Sequence, residues 1–293
     1  MRSWAHATGS LSLDKPRLLG IVNITPDSFS DGGQFASIND AVRFGVRLVE
    51  EGADGLDVGG ESTRPQGATP VEVDEELRRV VPVIEALHRE LPGVPISIDT
   101  VKHAVAAAAL DAGASIVNDV SGFRIDPAAA AVAARRRAGV ILMHSRGDVS
   151  DMATFTHATY GDDVVGDVIR ELSERLDFAM AQGIEPACLV VDPGIGFAKR
   201  AEHSLMMIAQ LGRLAALGFP VLIGASRKRF VGEITGVSQP AARVAGTVGA
   251  HVVALERGAR LFRVHDVRAH REALDVAWAI AASGAGVADR DPS

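Results

Sequence analysis

The chain alternates between longer stretches whose apolar positions follow a helical spacing and short runs that are apolar throughout. The longer stretches keep closing on a glycine. Gly52 stands before the run Gly55 to Val58, Gly113 before Ile116 to Val117, and Gly139 before Val140 to Met143, with later copies at Gly183, Gly218 and Gly258. Glycine just past a helix supplies the left-handed cap, and a short apolar run without alternation reads as a strand buried on both faces. The helix starts agree: Ser37 with Asp40 reads as a capping box, and Thr69, Pro70 and Glu72 as a cap, a first-turn proline and an N3 acid. The runs Leu19 to Ile24, Ile96 to Ile98, Leu189 to Val191, Val221 to Ile223 and Leu261 to Val264 bring the strands to eight. Strand and helix alternating in units of roughly 30 to 40 residues predict an α/β fold, a single (β/α)8 TIM barrel, with a doubly wound open sheet as the other topology. The barrel is expected over residues 17–283. The N-terminal tail to about Pro16 and the last residues, 284–293, read as unpacked.

Polar residues crowd the ends of the strands, where the active sites of such barrels form. The first strand ends at Asn23, the second runs into Gly59 to Arg64, the third ends at Asp99, and the fourth at Asn118 and Asp119. The fifth gives Met143 and His144, the sixth Asp192, the seventh Ser226 to Lys228, and the eighth Arg263 and His265. One such residue alone reads as a helix cap; a full set reads as a site. Asp99, Asn118 and Asp192 offer acceptors and one amide that suit a flat, donor-rich heterocycle such as a pterin or guanine. Arg263 and His265 are two apart on one strand and so point the same way, an arrangement for an anion. Lys228 stands at the start of an expected helix, whose N-terminus also favours negative charge. The plainer reading of these cations is ion pairing with Asp266 or Glu233. Asn23 is a hard oxygen donor that, with two phosphates and water, fits magnesium. Two long Gly-, Ser- and Pro-rich stretches, Asp27 to Gly33 and Gly59 to Gly67, read as functional lids.

Composition narrows the partners. Thirty glycines and 4% aromatic residues suit repeated short elements, and a net charge of −7 without a basic stripe gives no footprint for nucleic acid or an anionic membrane. Cys188 is the only cysteine, which excludes a disulfide framework and a multi-cysteine metal centre. The opening MRSWAHATGSLSLDKP lacks an apolar core, and no segment stays apolar for the roughly 20 residues of a membrane span, so a cytoplasmic protein is expected. No Walker loop, HExxH helix or nucleophile elbow occurs. The residues alone lead to a barrel enzyme for a ring-containing substrate that carries a diphosphate.

From Gly20 to Val267 the chain resembles the dihydropteroate synthase family. The resemblance rests on GIVNITPDSFSDGG from Gly20, DVGGESTRP from Asp57, SIDT from Ser97, IVNDVSG from Ile116, DPGIGF from Asp192, SRK from Ser226 and RVHDV from Arg263. It implies a transferase of folate biosynthesis, a sulfonamide target, that joins p-aminobenzoate to a pterin methyl diphosphate with release of diphosphate. By the same resemblance Asp99, Asn118, Asp192 and Lys228 hold the pterin, with Met143, Phe197 and Gly224 lining its pocket. Asn23, Arg263 and His265 hold diphosphate and Mg2+, and Phe29, Asp31, Thr63, Arg64 and Pro65 lie on the loops that build the p-aminobenzoate site. Asp99, Lys228, Arg263 and His265 are the catalytic groups it implies, and a homodimer the assembly. A pterin-binding methyltransferase or a silent homologue are the rival readings. The chain departs from the commoner pattern at Arg229, where many members carry Ser, at Ala198 for Gly, at Gln66 in the TRP loop and in HSRG from His144.

Overall fold

The computed structural model describes residues 3–24, 37–61 and 70–285. Two short strands, β1 (Ser3–His6) and β2 (Gly9–Ser12), form an antiparallel hairpin. Eight parallel strands follow: β3 (Arg17–Asn23), β4 (Gly55–Gly59), β5 (Ile96–Asp99), β6 (Ile116–Asp119), β7 (Gly139–Met143), β8 (Leu189–Asp192), β9 (Leu222–Ile223) and β10 (Leu261–Val264). Each of β3 to β7 pairs with its successor, β10 returns to β3, and β9 pairs with β10. A single parallel bridge, Val191 to Val221, joins β8 to the start of β9 and closes the ring. Neighbours in unbroken sequence order exclude the doubly wound sheet, whose order reverses.

Helices alternate with the strands: α1 (Ile38–Glu50), α2 (Val73–Glu90), α3 (His103–Asp111), α4 (Ala128–Arg135), α5 (Val164–Ala181), α6 (Ala201–Ala209), α7 (Leu211–Ala215), α8 (Arg229–Thr235), α9 (Val244–Glu256) and α10 (Val267–Ala285). Ser37 caps α1 as its spacing predicts, accepting from the Asp40 N–H. Gly52, Gly113, Gly183, Gly218 and Gly258 all take positive φ after their helices. Gly139 does not. There Arg137 takes the left-handed turn at φ 49°, and Gly139 opens β7 where an added Cβ would lie 3.0 Å from His6 and 3.1 Å from the Ala5 carbonyl. The start of α2 also differs from expectation: its N-cap is Glu72, so Pro70 precedes the helix, and Thr69 lies outside the described residues.

The expectation of an unpacked N-terminal tail does not hold for residues 3–16. Trp4 and Leu13 are buried, and the Trp4 indole N–H donates to the Cys188 carbonyl at 2.8 Å. They meet Leu19, Ile116, Ile141, Val190, Leu222 and Leu261 in one cluster that stoppers the N-terminal end of the barrel. Side chains alternate along a strand, so the residues two places further on also face the barrel axis. Those are Ile21, Asn118, Met143, Asp192, Gly224 and Arg263. The interior is thus apolar below and polar above. The outward set, including Leu18, Val22, Val58, Ile98, Val117, Val140, Leu142, Val191 and Phe262, packs under the helices.

Candidate active site

Strand alternation brings five predicted residues to one mouth and adds a sixth that the strand-end reading overlooked. Asp57 lies mid-strand in β4, wholly buried, two places beyond the inward Gly55. Its carboxylate accepts from Arg263 Nε at 2.5 Å and from Asn118 Nδ2 at 3.1 Å. Arg263 Nη2 donates to Asp99 Oδ2 at 2.7 Å, so one guanidinium joins β4, β5 and β10. The overlooked signal was a carboxylate inside an apolar run, since a buried charge demands a partner.

Asp99, Asp192, Lys228 and Arg263 all titrate away from their ordinary values. Burial pushes Asp99 up to about 7; Arg263 pulls the other way, while Asp57, Glu76 and Asp119 add to the rise. Burial also pushes Asp192 up to about 6, against the Gly194 N–H, which donates to it at 2.7 Å, and the charges of Lys228, Lys199 and Arg263. Lys228 is lowered to about 8, by burial first and then by Arg263, with Asp192 and Asp99 opposing. Arg263 stays charged because Asp57 and Asp99 outweigh its burial. Carboxylates and amines shifted towards neutrality in one cleft are a common mark of a functional site.

The other predicted residues surround this core. The Lys228 ammonium sits 4.0 Å from the centre of the Phe197 ring, and Met143 packs against Phe197 with Val101, Val120 and Met152. A Cβ on Gly224 would lie 3.7 Å from Asp192 Oδ2, so glycine leaves the carboxylate open on that side. A Cβ on Gly59 would lie 3.6 Å from Asp99 Oδ2 and 3.7 Å from Asn23 Oδ1, which puts Asn23 and Asp99 on either side of Gly59. The Ser226 hydroxyl bonds the His265 ring at 2.9 Å and accepts the His265 backbone N–H at 3.2 Å. Phe29, Asp31, Thr63, Arg64, Pro65 and Gln66 lie outside the described residues.

The expected rivals for the cations are engaged by their neighbours instead. Asp266 pairs with Arg227 at 2.5 Å, and Glu233 with Arg229 at 3.5 Å. Arg229 also lies 3.7 Å over the Phe155 ring. Asp119 faces away from the mouth and caps its own turn, accepting from the Ser121 N–H and hydroxyl. Ala198, where a glycine is commoner, takes φ 46°. The mouth therefore holds acceptors for a donor-rich ring on one side, and on the other an arginine whose five-donor fork retains N–H groups beyond its two carboxylate bonds.

Among the described residues no helix is long and apolar enough to cross a membrane. The family model of pterin binding enzymes matches residues 19–265. The dihydropteroate synthase of Synechocystis is 46% identical over 263 residues, covering 90% of this chain and 89% of the relative. A solved structure of Xanthomonas albilineans dihydropteroate synthase with 4-aminobenzoic acid is 50% identical, with a TM-score of 0.88 and coverage of 96% of this chain and 98% of the other. A second structure of that enzyme, in complex with 7,8-dihydropteroate, is 48% identical, with a TM-score of 0.82 over 93% and 96% of the two chains. Barrel, mouth and likeness over nearly the whole length agree, and the chain belongs to the dihydropteroate synthases, within the pterin binding enzymes.

Proposed function

We propose that the protein condenses (7,8-dihydropterin-6-yl)methyl diphosphate with p-aminobenzoate to give 7,8-dihydropteroate and diphosphate. The observation that carries this reading is the junction of Asp57, Asp99, Asn118 and Arg263 at one barrel mouth, with Asp192 and Lys228 across it. Asp192 and Asn118 serve as the polar edge for the pterin ring, and Phe197, Met143 and Gly224 as its slot. Lys228 orients the ring.

The reaction breaks the bond between the pterin methylene and the diphosphate oxygen, and the arylamine nitrogen forms the new bond. Positive charge that develops on the pterin is stabilised by the Asp99 carboxylate, and negative charge on the leaving group by Arg263 and His265. Asp57 holds Arg263 and Asn118 in register. An arylamine is largely unprotonated near neutral pH, so its nitrogen attacks without a dedicated base and loses its proton after bond formation. Phe29, Asp31, Thr63, Arg64 and Pro65 are assigned to the arylamine side.

Among the described residues no three His, Cys, Asp or Glu are grouped to hold a metal ion. Asn23, at the end of β3 and on the mouth, nevertheless presents a hard oxygen that suits Mg2+ when two phosphates and water complete the set. Bound there, Mg2+ would neutralise leaving-group charge. We place the enzyme in the cytoplasm, as a homodimer built on the 17–283 barrel, on the family likeness; gel filtration tests the assembly. The activity is tested by diphosphate release from the pterin diphosphate with and without p-aminobenzoate, before and after exhaustive chelation. Release that needs both arylamine and divalent cation is expected. No turnover under any condition overturns the reading, and full turnover after chelation removes the metal from it.

A further inference from the structure

Residues 192–199 wall the pterin side of the mouth, and their backbone turns left-handed at every second position: Gly194 at φ 68°, Gly196 at 78° and Ala198 at 46°. Such a winding persists only where its surroundings hold it. In front, the Phe197 ring lies under Lys228. Behind, the Ala198 N–H donates to the Met152 carbonyl at 2.7 Å, and the Tyr160 hydroxyl donates to the Ala198 carbonyl at 3.1 Å. Gly194 sits against His144, whose carbonyl oxygen would be 1.9 Å from any Cβ there.

The remaining support is a lysine with no place in the chemistry described so far. Lys199 is 1% exposed, and its ammonium lies 2.8 Å from His144 Nδ1 and 3.2 Å from the Phe197 carbonyl. His144 is also buried, and its Nε2 lies 3.0 Å from Glu171 Oε2. Burial, with the Lys199 charge second, holds His144 down to about 4, so its ring is neutral. Nδ1 then accepts from Lys199, and Nε2 donates to Glu171. Arg146 grips Glu171 through both Nε, at 3.0 Å, and Nη2. An ammonium taken wholly out of water is costly, and this chain of partners ends on the carbonyl of the residue that lines the pocket.

We propose that Lys199, backed by His144 and Glu171, is a positioning residue for the pterin: it fixes the Phe197 carbonyl from behind and places a positive charge behind the Asp192 carboxylate. The proposal rests on the pterin-binding reading. Burial lowers Lys199 to about 7, so it carries its charge over the acid range in which Asp192 titrates; Asp192 and Glu171 favour its ammonium form, Arg146 and Lys228 oppose it, and Tyr160, His144 and His203 complete the surround. Asp192 faces Lys228, Lys199 and Arg263. Loss of the Lys199 charge therefore raises the pH at which Asp192 takes up a proton. Pterin affinity, which needs the carboxylate, then fails at a higher pH.

The test is calorimetry of pterin-6-carboxylate binding to the full chain from pH 5 to 8, for wild type, Lys199→Met, Lys199→Arg and Glu171→Gln. Lys199→Met is expected to weaken binding about tenfold at pH 6, where the lysine is mostly charged, as loss of a charged hydrogen bond does, and to move the acid limb of affinity to higher pH. Lys199→Arg returns that limb towards wild type, and Glu171→Gln moves it upward by less than Lys199→Met. In steady state, the Michaelis constant for the pterin diphosphate rises while that for p-aminobenzoate holds. A wild type that binds no pterin overturns the functional reading itself. Wild-type binding with an unmoved acid limb in Lys199→Met overturns the positioning role. If Lys199→Met does not fold, an unmoved limb in Glu171→Gln, whose carboxylate is only partly buried, does the same.

Discussion

A carboxylate inside a strand and a carboxylate at its end call for different reasoning. Asp192 stands at the end of β8, where a sequence shows it plainly, whereas Asp57 is hidden mid-strand among apolar neighbours and becomes legible only once the alternation of β4 is tied to its inward face. Asp57→Asn keeps the size and removes the charge that holds Arg263. Loss of one partner of a buried charged bond costs about 1.5 to 3 kcal/mol, so kcat/KM is expected to fall about 10- to 100-fold with the fold intact by circular dichroism. Asp192 presents the opposite balance. Its carboxyl titrates at about 6 in the folded protein against 3.8 ordinarily, so above both values the folded state bears the cost of an ionised, buried group. That cost is absent below pH 3.8 and complete above pH 6. Asp192→Asn is therefore expected to abolish pterin binding yet stabilise the protein at pH 8 by about 1 to 3 kcal/mol. Urea unfolding at pH 8 and near pH 4 checks the sign, with the gap between variant and wild type narrowing at the lower pH. Ala198, strained in a left-handed turn, was visible only as a departure from a family habit; its φ supplies the reason for that habit.

Barrel strands were readable because each carries a short apolar run, and most helix ends because a glycine that tolerates positive φ follows them; the turn after α4, taken by Arg137, was not. The hairpin was not. Among SWAH and GSLS only Trp4 and Leu11 are large apolar residues, and neither period declares itself in four-residue strands. What stabilises the hairpin is tertiary: an indole that fills the barrel floor and satisfies the Cys188 carbonyl. Trp4→Ala is expected to cost about 3 to 5 kcal/mol in urea unfolding. The floor is at the opposite end of the strands from the mouth, so kcat per folded molecule should hold at a temperature where the variant is still native. A large loss of kcat in fully folded variant would show that floor and mouth are coupled. Helix starts were less legible than helix ends, as α2 shows: Glu72 caps it without a side-chain bond, a position that no cap-residue preference selects.

For the molecule as a whole, a net charge of −7 is at odds with an anionic substrate, and under the proposed reading Arg263, Lys228 and His265 at the mouth resolve the conflict locally. Two of the mouth's own groups then set its working range. In the proposed mechanism Asp99 acts ionised and Lys228 protonated, and they titrate at about 7 and about 8. The pH profile of kcat/KM for the pterin diphosphate should accordingly be a narrow bell, rising as Asp99 loses its proton and falling as Lys228 loses its own. Lys228→Arg keeps a cation that does not titrate in this range, so the alkaline fall should move upward while the acid rise stays; an unmoved alkaline limb would assign it to another group. The ring of strands is also unevenly stitched. β3 and β4 share five paired positions, whereas β8 meets β9 through one bridge and the hydrogen bond from the Val191 N–H to the Pro220 carbonyl. That join lies directly below Asp192 and Gly224, on either side of the proposed pterin slot. A barrel strained by heat or denaturant has its weakest lock there, and a ring-shaped ligand resting on both banks would act as a rivet, slowing deuterium uptake at Val191 far more than at the many-stitched strands opposite.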